Sequence, residues 1–96
     1  MYIYINFPNG QKFRIPADFI ATERTKYYAE VDGFSKGSSK WDEEMKQSME
    51  PYELFDWISN NCDWSDVEAY AELIIDNNKP DYLSMWSDAE FEIKNK

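Results

Sequence analysis

The chain has 96 residues, which predicts one domain near the small end of the range where a single core suffices. Its net charge of -9 accompanies four Trp, seven Tyr and six Phe, and this aromatic content excludes a disordered chain. One cysteine and no histidine exclude an intrachain disulfide, the usual structural zinc sites and histidine-dependent catalysis.

The charge is divided unevenly along the chain. Residues 1–40 hold six bases and four acids, a net charge of +2, whereas residues 41–96 hold four bases and fifteen acids, a net charge of -11. An acidic body is repelled by the phosphate backbone, which argues against direct nucleic-acid binding and leaves basic protein partners open. The alternative is that the acid only keeps an aromatic-rich domain in solution.

The N-terminal residues bear on the cellular location of the protein. The start, MYIYINF, lacks the basic region of a signal peptide and alternates instead of running apolar. No apolar run approaches the length that crosses a bilayer. We therefore expect a cytoplasmic protein with no membrane association.

Two short strands open the chain. Residues Tyr2 to Phe7 alternate β-branched and aromatic side chains, which is typical of a strand. Asn9-Gly10 follows, and both residue types tolerate the positive φ angles of a tight hairpin turn. Gln11 to Ile15 is then predicted to be the return strand.

A helix is predicted after the hairpin. A turn or short helical start over residues 17–21 precedes a helix that Thr22 caps and that ends near Asp32. Gly33 suits the left-handed position that ends many helices. Arg24 falls on the apolar side of this helix, where a base usually pairs with a carboxylate or reaches towards solvent.

Two more helices are predicted in the middle of the chain. Residues 35–39 are predicted to be a flexible loop within the single domain, residues 1–96. Ser39 is predicted to cap the helix that follows this loop. Ser48 is predicted to cap the next one, which has Pro51 near its first position and ends near Asn60.

The clearest helical periodicity begins at Asp63, the predicted cap of a helix that ends at residues 77–80. Asp66 stands three residues later, in the capping-box position. An apolar stripe with helical spacing is expected to anchor this helix to the core; it consists of Trp64, Val67, Tyr70, Ala71 and Ile74. On the opposite side, three acids are spaced by four: Glu68, Glu72 and Asp76.

These acids carry the functional prediction. Like charges four residues apart destabilise a helix by a few tenths of a kcal/mol per pair, at an order-of-magnitude level. No base interrupts the sequence between Lys46 and Lys79 to relieve them. We therefore predict a face that binds a basic partner, formed by Asp63, Asp66, Glu68, Glu72 and Asp76. The alternative is a solvated face without a partner.

The alternation from Ala89 to Lys94 predicts a last strand with Phe91 and Ile93 facing inward. The predicted fold is α+β: the N-terminal β-hairpin and the C-terminal strand form a small antiparallel sheet, which packs with three to four short helices. We expect each of the four tryptophans to be a core residue, with Trp57 at the edge.

Catalytic patterns are missing from the sequence. It has no glycine-rich phosphate loop, and Asp63-x-x-Asp66 lacks the spacing of a calcium-binding loop. Cys62 precedes a predicted helix N-terminus, which can lower a thiol pKa, but no histidine exists to activate it, and we expect a small core residue. We predict a non-enzymatic protein with no cofactor, metal site or catalytic residue. The alternative enzyme would use magnesium bound by carboxylates.

Three segments, IPADFIATERTKYYAE (15–30), DWISNNCDW (56–64) and WSDAEFEI (86–93), resemble small uncharacterised proteins of marine T4-like phages, notably cyanophages. The resemblance covers most of the chain. It implies a phage-encoded accessory protein that acts in the infected cell, and it carries over no catalytic residue.

Two non-enzymatic functions follow as hypotheses. In the first, the acidic face binds a basic surface of a host protein, and one version is mimicry of nucleic-acid charge that occupies a basic cleft. In the second, the chain is a small self-associating protein, whose homodimer surface is formed by the sheet aromatics Tyr2, Tyr4 and Phe7.

Overall fold

A four-stranded antiparallel sheet with helices packed against one face forms the fold of the computed structural model, which describes residues 1–75 and 85–95. The predicted α+β architecture, with its N-terminal hairpin, C-terminal strand and short helices, is confirmed. In chain order the elements are β1 (Tyr2–Asn6), β2 (Lys12–Pro16), α1 (Ala17–Asp32), α2 (Ser39–Ser48), α3 (Pro51–Asn61), α4 (Trp64–Val67), a 3₁₀ turn (Glu68–Tyr70), β3 (Glu72–Ile75), a second 3₁₀ turn (Trp86–Asp88) and β4 (Glu90–Lys94).

The hairpin lies at the centre of the sheet, whose strand order is β3-β2-β1-β4. Its turn closes with hydrogen bonds from the Phe7 N–H to the Gln11 carbonyl (2.9 Å) and from the Gly10 N–H to the Phe7 carbonyl (3.0 Å). Gly10 adopts a φ of 92°, in the left-handed region that favours glycine, as predicted, whereas Asn9 does not adopt a positive φ.

The inner face of the sheet holds the core. Ile3, Ile5 and Ile15 are completely buried there. Phe7 is also buried, with its ring centroid 5.3 Å from that of Trp64. Other members of the core come from the helices and from the second 3₁₀ turn: Ile20, Leu54, Ile58, Val67 and Trp86. Since Phe7 is enclosed, it is unavailable to the homodimer surface predicted on Tyr2, Tyr4 and Phe7.

On the outer face of the sheet, basic side chains lie over tyrosine rings. The Arg14 guanidinium lies 4.3 Å from the ring centroid of Tyr2, and the amines of Lys12 and Lys94 lie 5.6 Å and 5.3 Å from that of Tyr4. Contacts of this kind cover aromatic rings with charge. Tyr2 and Tyr4 therefore do not form an open apolar surface.

The helix caps differ from the prediction at three residues, Thr22, Ser39 and Ser48. Helix α1 begins at Ala17, and the Thr22 hydroxyl donates to the Asp18 carbonyl inside it (2.7 Å) instead of capping it. The Ser38 hydroxyl caps α2 by accepting from the Trp41 N–H (3.2 Å). Ser48 is the buried last residue of α2 and not the cap of α3.

The predicted helix after Asp63 is wrong beyond its first turn. It is replaced by α4, a 3₁₀ turn and β3, which pairs with β2 so that Leu73 lies opposite Phe13 and Glu72 opposite Arg14. A short apolar run does not by itself distinguish a helix from a strand, and the β-branched pair at positions 74 and 75 favours the strand. Pairing with β2 satisfies the backbone and decides the outcome.

A polar cluster beneath α1 joins it to α2 and α3. The Arg24 guanidinium forms ion pairs with Glu53 and with Glu44, and donates to the Ser48 hydroxyl (2.9 Å). The Thr25 hydroxyl lies 3.0 Å from that of Ser48. Of the two arrangements expected for Arg24, pairing with a carboxylate is the one that the structure shows.

Among the described residues, no helix is both long enough and apolar enough to cross a membrane.

Candidate functional site

An open pocket of about 320 Å³ lies at the junction of α1, α3 and α4. Helix α1 contributes two of its side chains, which lie one turn apart. Two more come from the end of α3, and the other three come from the residues that follow α3. We call this cavity the acidic aromatic pocket; it is lined by Phe19, Glu23, Trp57, Asn61, Cys62, Asp66 and Tyr70.

Aromatic rings form the walls of the pocket. Phe19 and Tyr70 stack with their ring centroids 4.0 Å apart and an angle of 24° between the planes. Trp57 also lines the pocket; it is partly exposed, and its ring lies 5.5 Å from that of Tyr27. Phe19, Trp57 and Tyr70 thus give the pocket an aromatic lining.

The pocket is acidic as well as aromatic. Burial raises the pKa of Cys62, and nearby carboxylates raise it further, to about 12. In order of effect these carboxylates are Asp66, Glu23 and Asp63. Three negative groups from α1 and from the start of α4 therefore act on one sulfur atom, because each disfavours a thiolate beside it.

The raised pKa makes the Cys62 thiol inert at neutral pH, contrary to the lowered pKa that a helix N-terminus alone would produce. At pH 8 we expect Cys62 to react with Ellman's reagent on the order of a hundredfold to a thousandfold more slowly in the native chain than in urea. Equal rates in the two conditions would contradict this electrostatic description of the pocket.

Asp63 and Asp66 are held by each other's backbone. The Asp63 side chain accepts from the Asp66 N–H, and the Asp66 carboxylate accepts from the Asp63 N–H (2.7 Å), which forms the predicted capping box. The box fixes the position of the Asp66 carboxylate at the pocket wall without neutralising its charge.

The other predicted partner-binding residues lie elsewhere. The Glu68 carboxylate accepts from the indole N–H of Trp64 (2.9 Å) in the 3₁₀ turn. Glu72 forms an ion pair on the sheet with Arg14 (3.1 Å). Asp76 lies outside the described residues. The structure thus brings Asp63 and Asp66 together, and the helical column of Glu68, Glu72 and Asp76 is wrong because Glu72 belongs to a strand.

Glu23 and Trp57 were not predicted as site residues. Glu23 belongs to the basic first part of the chain, where the uneven charge gives no reason to look for an acidic site. For Trp57 a signal exists: Trp41, Trp64 and Trp86 are buried as predicted, whereas Trp57, the tryptophan expected at the edge of the core, is partly exposed and follows an aspartate.

No carboxylate cluster suited to a metal is present in the described part of the chain, where no three His, Cys, Asp or Glu side chains come close enough to hold an ion. The acids Glu23 and Asp66 share the pocket with three aromatic side chains. Their arrangement is suited to a cation that carries an apolar stem, such as a lysine or arginine side chain.

The chain matches no protein-family model, no curated protein and no solved structure. The likeness to proteins of marine phages therefore stays a prediction, and the chemistry of the pocket is the basis for a functional proposal.

Proposed function

We propose that the chain is a non-enzymatic interaction module, which binds a basic surface of another protein by accepting a lysine or arginine side chain into the acidic aromatic pocket. The single observation behind this proposal is that Glu23, Asp66 and three partly or fully exposed aromatic side chains line one pocket of about 320 Å³. Lysine and arginine combine a charged head with an apolar stem, and the pocket offers a partner to each.

The expected energies make such a contact useful. A cation over an aromatic face contributes about 0.5–1 kcal/mol at an exposed site and about 2 kcal/mol when it is desolvated. A hydrogen bond to a charged group adds about 1.5–3 kcal/mol. Together they are enough for one basic side chain to dominate a small interface, as an anchor residue does.

A cation of the chain itself already lies at the rim. The Lys26 amine is 3.5 Å from the Glu23 carboxylate, and both side chains are largely exposed. Such surface pairs contribute little free energy, so a partner's basic side chain can replace Lys26 at Glu23 without a large cost.

The wider charge supports the same type of partner. The net charge of -9 attracts a basic surface over a long range and speeds association with it, and this attraction weakens as the salt concentration rises. If the chain is encoded by a phage, as the resemblance implies, the partner would be a basic protein of the infected cell, in its cytoplasm. Mimicry of nucleic-acid charge stays a prediction, without support from the positions of Glu68 and Glu72.

Titration with short peptides tests the proposal. Peptides with a central lysine or arginine are expected to bind, with an affinity that falls as salt is raised through the physiological range. A peptide of the same length with a central glutamate is expected not to bind. Equal affinity for the basic and acidic peptides would overturn the proposal.

A further inference from the structure

Strand β4 forms one edge of the sheet. Strand β4 pairs with β1 on one side and has no strand on the other among residues 1–75 and 85–95. Its outward backbone N–H and C=O groups therefore form a row that another strand can bind, unless the side chains prevent it.

An apolar groove of about 390 Å³ accompanies this edge, between α3 and β4. Glu90 and Phe91 of β4 both line it, so the groove runs beside this strand. The ring of Phe55 lies 6.2 Å from that of Phe91 and is half exposed. One turn earlier on α3, Tyr52 is 74% exposed. Aromatic surface thus continues beneath the edge of the sheet.

The charges of β4 allow two copies of the strand to pair antiparallel, with opposite charges facing each other. The outer face of the strand carries Glu90, Glu92 and Lys94, and the inner face carries Phe91 and Ile93. When two copies pair antiparallel about Glu92, Glu90 of each copy lies opposite Lys94 of the other, and Phe91 lies opposite Ile93. Opposite charges and apolar pairs in these positions stabilise antiparallel strands.

We propose that the chain forms a two-fold symmetric dimer through β4, which joins two four-stranded sheets into one sheet of eight strands. The two copies of α3 then meet beneath the new strand pair, where Phe55 and Tyr52 cover each other. Glu92 lies on the axis, where Asn6 (2.9 Å) and Lys94 (3.4 Å) of its own chain already compensate its charge. The dimer does not depend on the acidic aromatic pocket.

Other registers are less favourable. A shift by one residue would place inner side chains opposite outer ones, which the alternation of the strand forbids. Pairing about Phe91 would put Glu90 opposite Glu92 twice. Pairing about Ile93 would keep opposite charges together but would leave Glu90 without a partner strand residue.

The register determines which charge reversals matter. Sedimentation equilibrium of the full chain is expected to show a dimer with a dissociation constant in the micromolar range. Glu90→Lys and Lys94→Glu each replace two attractive pairs by two repulsive ones, and each is expected to weaken the dimer by about tenfold or more. Because a mixed dimer of the two variants regains both pairs, an equimolar mixture is expected to associate as tightly as the unmodified chain.

Glu43→Lys is the matched control for Glu90→Lys, since Glu43 is exposed on α2 and its reversal makes the same change in net charge as that variant. Phe55→Ser provides a second, independent test of the dimer, because the half-exposed ring can be removed with the sheet intact. This variant too is expected to weaken association by about tenfold. A chain that stays monomeric at about 1 mM would overturn the proposal. So would a Glu90→Lys variant that dimerises like the control, or a mixture no tighter than its components.

Discussion

Replacing Arg24 by alanine is expected to lower the free energy of unfolding by about 3 kcal/mol. The guanidinium is 11% exposed and joins Glu53, Glu44 and the Ser48 hydroxyl, and its plane lies 4.7 Å from the ring centroid of Tyr28. Removing it leaves the Glu53 and Glu44 carboxylates, each 21% exposed, close together; Glu53 loses its ion pair with Arg24, whereas Glu44 keeps one with Lys40 (3.7 Å). Urea denaturation followed by circular dichroism measures the loss.

The control for this experiment is Lys26→Ala in the same helix. Lys26 pairs with Glu23 at 3.5 Å, but both side chains are well exposed, so its removal is expected to change stability by no more than about 0.5 kcal/mol. Similar losses for the two variants would show that the cluster beneath α1 does not hold α1, α2 and α3 together.

Neutralising both acids of the pocket, Glu23→Gln with Asp66→Asn, is expected to weaken the binding of a lysine-centred peptide by about tenfold to a hundredfold. Both replacements keep the size of the side chain, and the asparagine keeps an oxygen that can accept from the Asp63 N–H, as the Asp66 carboxylate does at 2.7 Å. The fold is therefore retained while the two negative charges are removed. Calorimetric titration at low salt measures the change in affinity.

The matched control removes two charges outside the pocket. Asp42→Asn with Glu43→Gln acts on exposed acids of α2 and makes the same change in net charge. It is expected to lower affinity only slightly, through the long-range field. If both double variants lose affinity equally, binding depends on net charge alone and not on the pocket.

The same double variant has a readout that needs no ligand. Since the carboxylates of Asp66 and Glu23 help to raise the pKa of Cys62 to about 12, removing their charges lowers that pKa. The thiol of the double variant is then expected to react with Ellman's reagent faster than the thiol of the unmodified chain. The reaction rate therefore shows whether the two acids lie beside Cys62 as described, even if no peptide binds.

Local signals in the sequence predict the hairpin and the last strand well. Asn9-Gly10 specifies its turn through backbone preference, and the alternation after Ala89 assigns β4 its two faces. Neither requires knowledge of distant residues. Arg24 is an intermediate case: its need for a carboxylate follows from its position on an apolar helix face, but Glu44 and Glu53 are found only once α2 and α3 are placed.

Long-range contacts decide the parts that the sequence did not predict. The run after Ala71 fits a helix or a strand, and only its pairing with β2 makes it a strand. The acidic aromatic pocket joins Glu23 to Asp66 across 43 positions of the sequence, and helix packing alone brings them together. The negative charge of the carboxyl-terminal part of the chain thus predicts an acidic site, but it does not predict that Glu23 belongs to that site.

The most direct test of cation binding is an NMR titration that follows the indole N–H signal of Trp57. The titrants are a peptide with a central lysine and the same peptide with that lysine acetylated, which keeps the apolar stem and removes the charge. The lysine peptide is expected to shift the Trp57 signal to saturation, and the acetylated peptide to leave it in place. Equal shifts with both peptides, or none with either, would contradict a pocket for a basic side chain.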